Sequence, residues 1–214
     1  MERLLESIPA TGGIIFILQG MLGFVALCFI IERMIFFQST REVGRDLLLG
    51  TRAHLEKNNL AEAQREVGRV PGAESRLVAA VLARPFLPRT NLKEVAQEAG
   101  QLEIPKIERH LRTILGIALI APLLGMFGTV LGLIESFMDL GGASVGASGT
   151  NFAGGIFKAL ASSAVGLAVA LPCYIFYLYL LGKARQVVHR LERTGIETVN
   201  LVMDLREEGG GGSA

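Results

Sequence analysis

Three stretches of this chain are apolar over a length that matches the thickness of a lipid bilayer. A hydrocarbon core of about 30 Å takes about 20 helical residues to cross, and the runs at 14–31, 114–138 and 152–181 are of that order. Each is read as a transmembrane helix. The first lacks a basic leader, and no small-residue cleavage site precedes a polar region, so it is expected to stay as an anchor rather than be removed as a signal. Half of all residues are hydrophobic, and the charges crowd into the stretches between and after the runs. The fold class expected is therefore all-α: an integral membrane protein with three transmembrane helices, the second and third extended into the cytoplasm, plus a helical cytoplasmic segment.

Charge sets the orientation. Twelve Lys/Arg lie between Arg41 and Arg109, and Lys183, Arg185, Arg190 and Arg193 follow the third run, whereas the turn GGASVGASGTN between the second and third has none. Positively charged loops stay inside. The expected organisation is an N-terminal periplasmic segment (1–13), a first span (14–31), a cytoplasmic helical segment (32–113), a second span (114–138), a periplasmic turn (139–151), a third span (152–181) and a cytoplasmic helical tail (182–208). The final GGGGSA, 209–214, reads as an appended flexible linker. The net charge of +1 supplies no field to recruit nucleic acid. Cys28 and Cys173 lack metal-ligand spacing and read as small core hydrophobes.

Within the polar stretch, Asn59 with Glu62 and Asn91 with Glu94 are spaced as capping boxes. Pro85 and Pro88 mark a turn between two helices. From Asn91 the pattern runs into the second span with only Pro105 to interrupt it, which predicts one long helix kinked near that proline. After the third span Val187, Val188, Leu191, Ile196, Val199 and Val202 are expected to share a face. Glu32 and Arg33 mark the inner membrane boundary, with Arg33 as a headgroup anchor.

The second and third spans carry small residues at three- or four-residue intervals. Gly125, Thr129, Gly132 and Ser136 form one stripe; Gly155, Ala159, Ser162, Gly166 and Ala170 form the other. In lipid, where apolar side chains gain nothing by leaving their solvent, such stripes let helix backbones approach closely. Taking Asp139 and Phe152 as outer ends, Thr129 and Ser163 lie about 15 and 16.5 Å deep at 1.5 Å per residue. Their hydroxyls share a level near mid-membrane. One reading is a polar ring in an oligomeric pore; the other is a pair of hydroxyls bonded back to their own helices. By the same arithmetic Lys158 and Glu135 lie at nearly equal depth near the outer side. Lys158 must snorkel, pair with Glu135 within or between subunits, or meet an acidic group on a partner.

APLLGMFGTVLGLIESF, the Gly/Ser turn and GGIFKALASSAVGLAVALPCYIFY together closely resemble the paired signature of the ExbB/TolQ/MotA proton-channel family. The similarity extends to IERMIFF and LEIPKIERHLRTILGIALIAPLLG, and the three-span layout resembles ExbB and TolQ. The resemblance implies a homopentamer surrounding single transmembrane helices of an ExbD/TolR-like partner, in which ion flow drives mechanical work across the envelope of a bacterial inner membrane. It places Thr129 at the family's pore-facing threonine and Ser163 where a second threonine is usual, with Ser162 beside it. Lys158 stands where ExbB and TolQ commonly have a glutamate.

A proton relay needs a group that can be charged and neutral in turn. Hydroxyls do not store charge at neutral pH, and no carboxylate of this chain lies near mid-membrane, so a membrane-buried Asp is expected from the partner. No cofactor, metal or catalytic residue is expected, since no nucleophile elbow, phosphate loop or metal-ligand cluster is present. The reading from another class is a non-conducting membrane scaffold that anchors a cytoplasmic helical assembly.

Overall fold

The structure, a computed structural model, describes residues 10–39, 50, 59–142 and 148–210. The described parts of the chain form helices α1 (Ala10–Ser39), α2 (Leu60–Arg69), α3 (Ala73–Leu82), α4 (Arg89–Ile107), α5 (Leu111–Gly142) and α6 (Ser148–Gly210), and no strand occurs among the described residues. Residues 1–9 and 143–147, parts of the expected outer segments, lie outside the described residues, as do 211–214 of the expected linker. Three helices are long and apolar enough to cross a membrane, within Gly13–Gln38, Arg89–Met138 and Phe152–Glu207. The all-α membrane fold is as expected. The chain divides into a span unit, Met1–Met34 with His110–Leu180, and a polar unit, Ile35–Arg109 with Leu181–Ala214.

In the polar unit the helices form where the sequence punctuates them. Asn59 caps α2, its Oδ1 accepting from the Glu62 N–H at 3.4 Å, which satisfies one of the donors a helix start leaves free. The second expected box does not cap anything. Pro88 precedes the first turn of α4, and Asn91 lies two residues inside it; a proline there gives up only an N–H that had no partner. Leu77 of α3, Leu92 and Ala96 of α4 and Val187, Leu191, Val199 and Val202 of α6 are buried together with Val67 of α2. Leu77 sits against Gly100 and Gly195, so that carbons added to either glycine would lie 3.6 and 3.5 Å from its methyls. Ile196 is 63% exposed. At 100° per residue it falls off the face that runs through Leu191, Thr194, Thr198 and Val202, so its expected place on that face is corrected.

Polar contacts join the same helices. Arg76 donates to both oxygens of Glu103, at 2.8 and 2.5 Å, and Lys106 adds a third contact at 2.7 Å. These bonds, Arg76's first, hold the Glu103 carboxyl below its ordinary pKa although its side chain is 5% exposed. Glu74 goes the other way: burial pushes its pKa up, partly opposed by Arg190 with Nε at 4.0 Å. The α3–α4 turn is tied down by Arg206, which donates to the carbonyls of Phe86 and Leu87 at 3.0 and 2.8 Å.

The single kinked helix expected around Pro105 is replaced by a break. Pro105 stays inside α4, which ends at Ile107. The break falls at His110, whose φ of 64° is left-handed and is the one positive value on a non-glycine among the described residues. The Ile114 N–H then bonds the His110 carbonyl at 3.0 Å as α5 begins. Proline removes one bond from the last turn of α4, but the left-handed residue is what ends the helical path.

In the span unit most large apolar side chains face outward. Ile17, Met126, Phe157 and Leu171 are between 62% and 73% exposed. Cys28 is among the exposed residues and Cys173 among the buried, so only the second is a core residue of this chain.

Candidate functional site

The interior of the span unit is built by glycine. A methyl carbon placed on Gly125 would lie 3.0 Å from the Ser163 Cα, and one on Gly132 would lie 2.9 Å from the Ala159 Cβ and 3.1 Å from its Cα. One on Gly155 would run into the Ser136 side chain, and one on Gly166 would come to 2.7 Å from the Ala121 carbonyl oxygen. The pairs 121/166, 125/163, 132/159 and 136/155 step in opposite directions along α5 and α6, as two antiparallel helices in backbone contact must. At Gly132 and Gly166 a first side-chain carbon would force the opposite helix to shift, at Gly155 it would displace the Ser136 side chain, and at Gly125 it would crowd backbone. Gly128, outside the stripe read from the sequence, makes an equally close approach, to the Ser162 side chain.

This proximity brings the two hydroxyls together. Thr129 Oγ1 lies 3.1 Å from Ser163 Oγ, and also 3.1 Å from the carbonyl oxygens of Gly125 and Ala159. A threonine hydroxyl has one proton and two lone pairs. It can therefore donate to either carbonyl and still accept from Ser163, or donate to Ser163 and leave the carbonyls to their helix bonds. The pair is thus a switchable donor and acceptor, able to hand on a proton or contribute oxygens to an ion, with no charge of its own. Both side chains are part-exposed within the single chain. Ser136, about two turns further along the seam, is buried and bonds back to the Gly132 carbonyl at 2.8 Å.

Ser162 is not on the side of Thr129. It is 3% exposed, its Oγ has no hydrogen-bond partner, and its carbonyl accepts from Gln19 Nε2 of α1 at 3.1 Å. Gln19 was not singled out by the sequence pattern. Its signal was present as a lone amide in the apolar run GIIFILQGMLGF, but a single polar residue says nothing about which helix it meets.

Lys158 and Glu135 are both half-buried. Among the described residues no ion pair joins them or engages either one. Glu32 instead lies 2.9 Å from His110 Nδ1, out of line for a hydrogen bond, and the His110 ring rests on Phe29 with centroids 4.5 Å apart. Arg33 is 2% exposed. A headgroup anchor would keep its guanidinium at the surface, so Arg33 is a buried residue and not the expected snorkelling one.

A model of the MotA/TolQ/ExbB proton channel family matches residues 71–193, a range that holds the whole α5–α6 seam. A chain of Methanothermobacter thermautotrophicus named as a biopolymer transport protein ExbB homolog is 27% identical over 85% of this chain and 64% of its own length. The present chain thus spans a little under two-thirds of that relative. An ExbB-like 3 protein of Synechocystis is 31% identical over 77% of this chain and 79% of its own. The Tol-Pal system protein TolQ of Haemophilus influenzae is 37% identical over a shorter stretch, 35% of this chain and 32% of TolQ.

Proposed function

The chain belongs to the MotA/TolQ/ExbB proton channel family, and from that premise we propose that it is the channel and stator subunit of an ion-driven inner-membrane motor. The ion driven through it is H⁺, and the work is done across the envelope. Five copies surround the spans of an ExbD/TolR-like partner, with the N-terminus periplasmic and the C-terminus cytoplasmic. The reading assigns this chain no catalytic role.

The observation that carries this reading is the Thr129–Ser163 contact, 3.1 Å between hydroxyls of two different spans. It lies at a depth where this chain supplies no carboxylate. The hydroxyls give the polar surface, and a buried Asp from the partner supplies the group that is charged and neutral in turn. One charge falling through 100 mV releases about 2.3 kcal/mol, enough to bias a two-state element of the partner. The Gly125 carbonyl, 3.1 Å from Thr129 Oγ1 on its own helix, favours the second reading, in which the hydroxyl serves packing and the bundle is a scaffold.

Co-expression with a single-span protein whose span bears an Asp, followed by imaging of the purified complex, tests the proposal. A ring of five copies around the partner's spans is expected. Rings that form with an empty centre, and no co-purifying partner, would favour the scaffold.

A further inference from the structure

A glutamine in the middle of an apolar span is costly unless its amide is bonded, by about 1–3 kcal/mol on mutational scales. Gln19 is completely buried and on α1, a helix to which the sequence pattern assigned only anchoring. Its orientation is settled by its neighbour: a carbonyl can only accept, so the amide nitrogen faces Ser162. The partner is backbone, and it lies one residue before the serine that meets Thr129.

Successive residues on a helix point about 100° apart. Ser162 therefore faces α1 and Gly128, while Ser163 faces Thr129. Turning α6 far enough to carry Ser163 away from Thr129 also carries the Ser162 carbonyl away from the Gln19 amide. Gly166 shows how close the three helices come at this point. A carbon added there would lie 3.1 Å from Gln19 Nε2, 3.1 Å from the Gly125 Cα and 2.7 Å from the Ala121 carbonyl oxygen. The amide nitrogen lies against a bare stretch of α6 that a side chain at residue 166 would crowd.

Two buried oxygens at the same junction, Gln19 Oε1 and Ser162 Oγ, have no hydrogen-bond partner. Native interiors keep few such atoms, and each marks a place where packing has been held to something other than its own polar optimum. Only half of the amide is used, and that half holds a backbone atom.

We propose that Gln19 is a positioning residue for the hydroxyl pair: by fastening the Ser162 carbonyl it fixes the rotation of α6 so that Ser163 meets Thr129. The inference rests on the channel reading for the pair's importance. The geometry it asserts is measured separately.

The test is a disulfide between Thr129→Cys and Ser163→Cys, in full-length protein with Cys28→Ala and Cys173→Ala, oxidised in membranes with its partner present. In the Gln19 background the cross-link forms readily. Gln19→Leu keeps the bulk but removes the donor, and losing a bond of ordinary strength lowers the equilibrium ratio of aligned to turned states about fivefold. The initial rate of cross-linking should fall, by up to about that factor, while the amount of assembled complex stays the same. Gln19→Glu adds a readout that mere packing would not give. As a neutral acid it donates to the Ser162 carbonyl, and as a carboxylate it cannot, so its rate relative to the Gln19 background at the same pH should be near native in acid and fall as pH rises. Equal rates in all three backgrounds at every pH overturn the proposal; if Gln19→Leu does not accumulate, the Gln19→Glu series decides alone. Should Thr129→Val leave ion flow untouched while the cross-link still follows Gln19, the channel reading fails and the positioning geometry stands.

Discussion

The polar unit fills its interior with Leu77, Leu82, Leu92, Leu191 and four valines, all with under 2% exposure, whereas the span unit brings glycine, serine and threonine to its helix contacts and turns Leu123, Phe127 and Leu160 outward. The difference follows from the solvent each unit works against. In water, burying a large apolar side chain stabilises by about 1.5–3 kcal/mol. Lipid tails are as apolar as leucine, so in a membrane that gain vanishes and helices associate through close backbone contact and polar bonds. The unit that can afford no bulk at its seam is then also the unit whose interior can be polar, and a path for ions becomes compatible with packing.

Adding a side chain to the seam should break the comparison most sharply. Gly132→Leu puts a branched chain where Ala159 atoms leave 2.9 to 3.2 Å to a first carbon, and overpacking costs about 1–3 kcal/mol even where neighbours can shift. Here the neighbour is backbone, so we expect loss of the assembled complex on size-exclusion chromatography. Normal assembly would mean that α5 and α6 are not held by the glycines. In the polar unit it is removal of bulk that hurts: Leu77→Ala should cost about 2–5 kcal/mol, read as a lower melting transition of that unit with the oligomer intact below it. A loss of both together would show that the two units do not differ in the way described.

Charge sharpens the contrast further. Lys158 and Glu135 do not pair within one chain among the described residues, so a pair between them has to cross to a neighbouring copy. Lys158→Glu should then weaken the oligomer, and adding Glu135→Lys should restore part of it, as judged by oligomer yield. A double variant as weak as the single one assigns the lysine to an acidic group of the partner or to the headgroups.

The smallest effect is a pH dependence confined to the polar unit. Glu103 has a lowered pKa because Arg76 bonds its carboxylate. Its contribution is present above an unfolded carboxyl's value of about 4.3 and is lost as pH falls through the lower folded value. Glu74 is raised by burial, so its penalty is felt at neutral pH and is relieved as pH falls through its higher folded value. Melting of the polar unit should therefore rise slightly on mild acidification and then fall. Glu74→Gln should abolish the rise and Arg76→Ala should blunt the fall; a profile unchanged by either would remove both groups from the account.

Much of this is legible in the sequence. The spans, the two small-residue rhythms and the shared level of Thr129 and Ser163 follow from the 1.5 Å rise and 100° step of a helix, which act along one element. What escaped depends on contacts between elements or on a single backbone angle. Gln19 carried no sign of which carbonyl it would meet. His110 takes a left-handed conformation that the sequence would have signalled only with glycine, so the break appeared as a kink at Pro105. Arg33 is expected outward, and its burial leaves no mark in its own stretch of sequence. Ile196 is hydrophobic like its neighbours, but the helical step turns it off their shared face.

The central claim is that the hydroxyl at residue 129 conducts and does not merely pack. Proton flux through the partner-bound complex in liposomes, driven by a set membrane potential and followed with an internal pH dye, compares the native chain with Thr129→Ser and Thr129→Val at equal amounts of assembled complex. The account predicts that Thr129→Ser, which keeps the hydroxyl, retains most of the flux, and that isosteric Thr129→Val loses at least about tenfold, the ratio that corresponds to about 1.4 kcal/mol in a barrier. Native flux in Thr129→Val would contradict it.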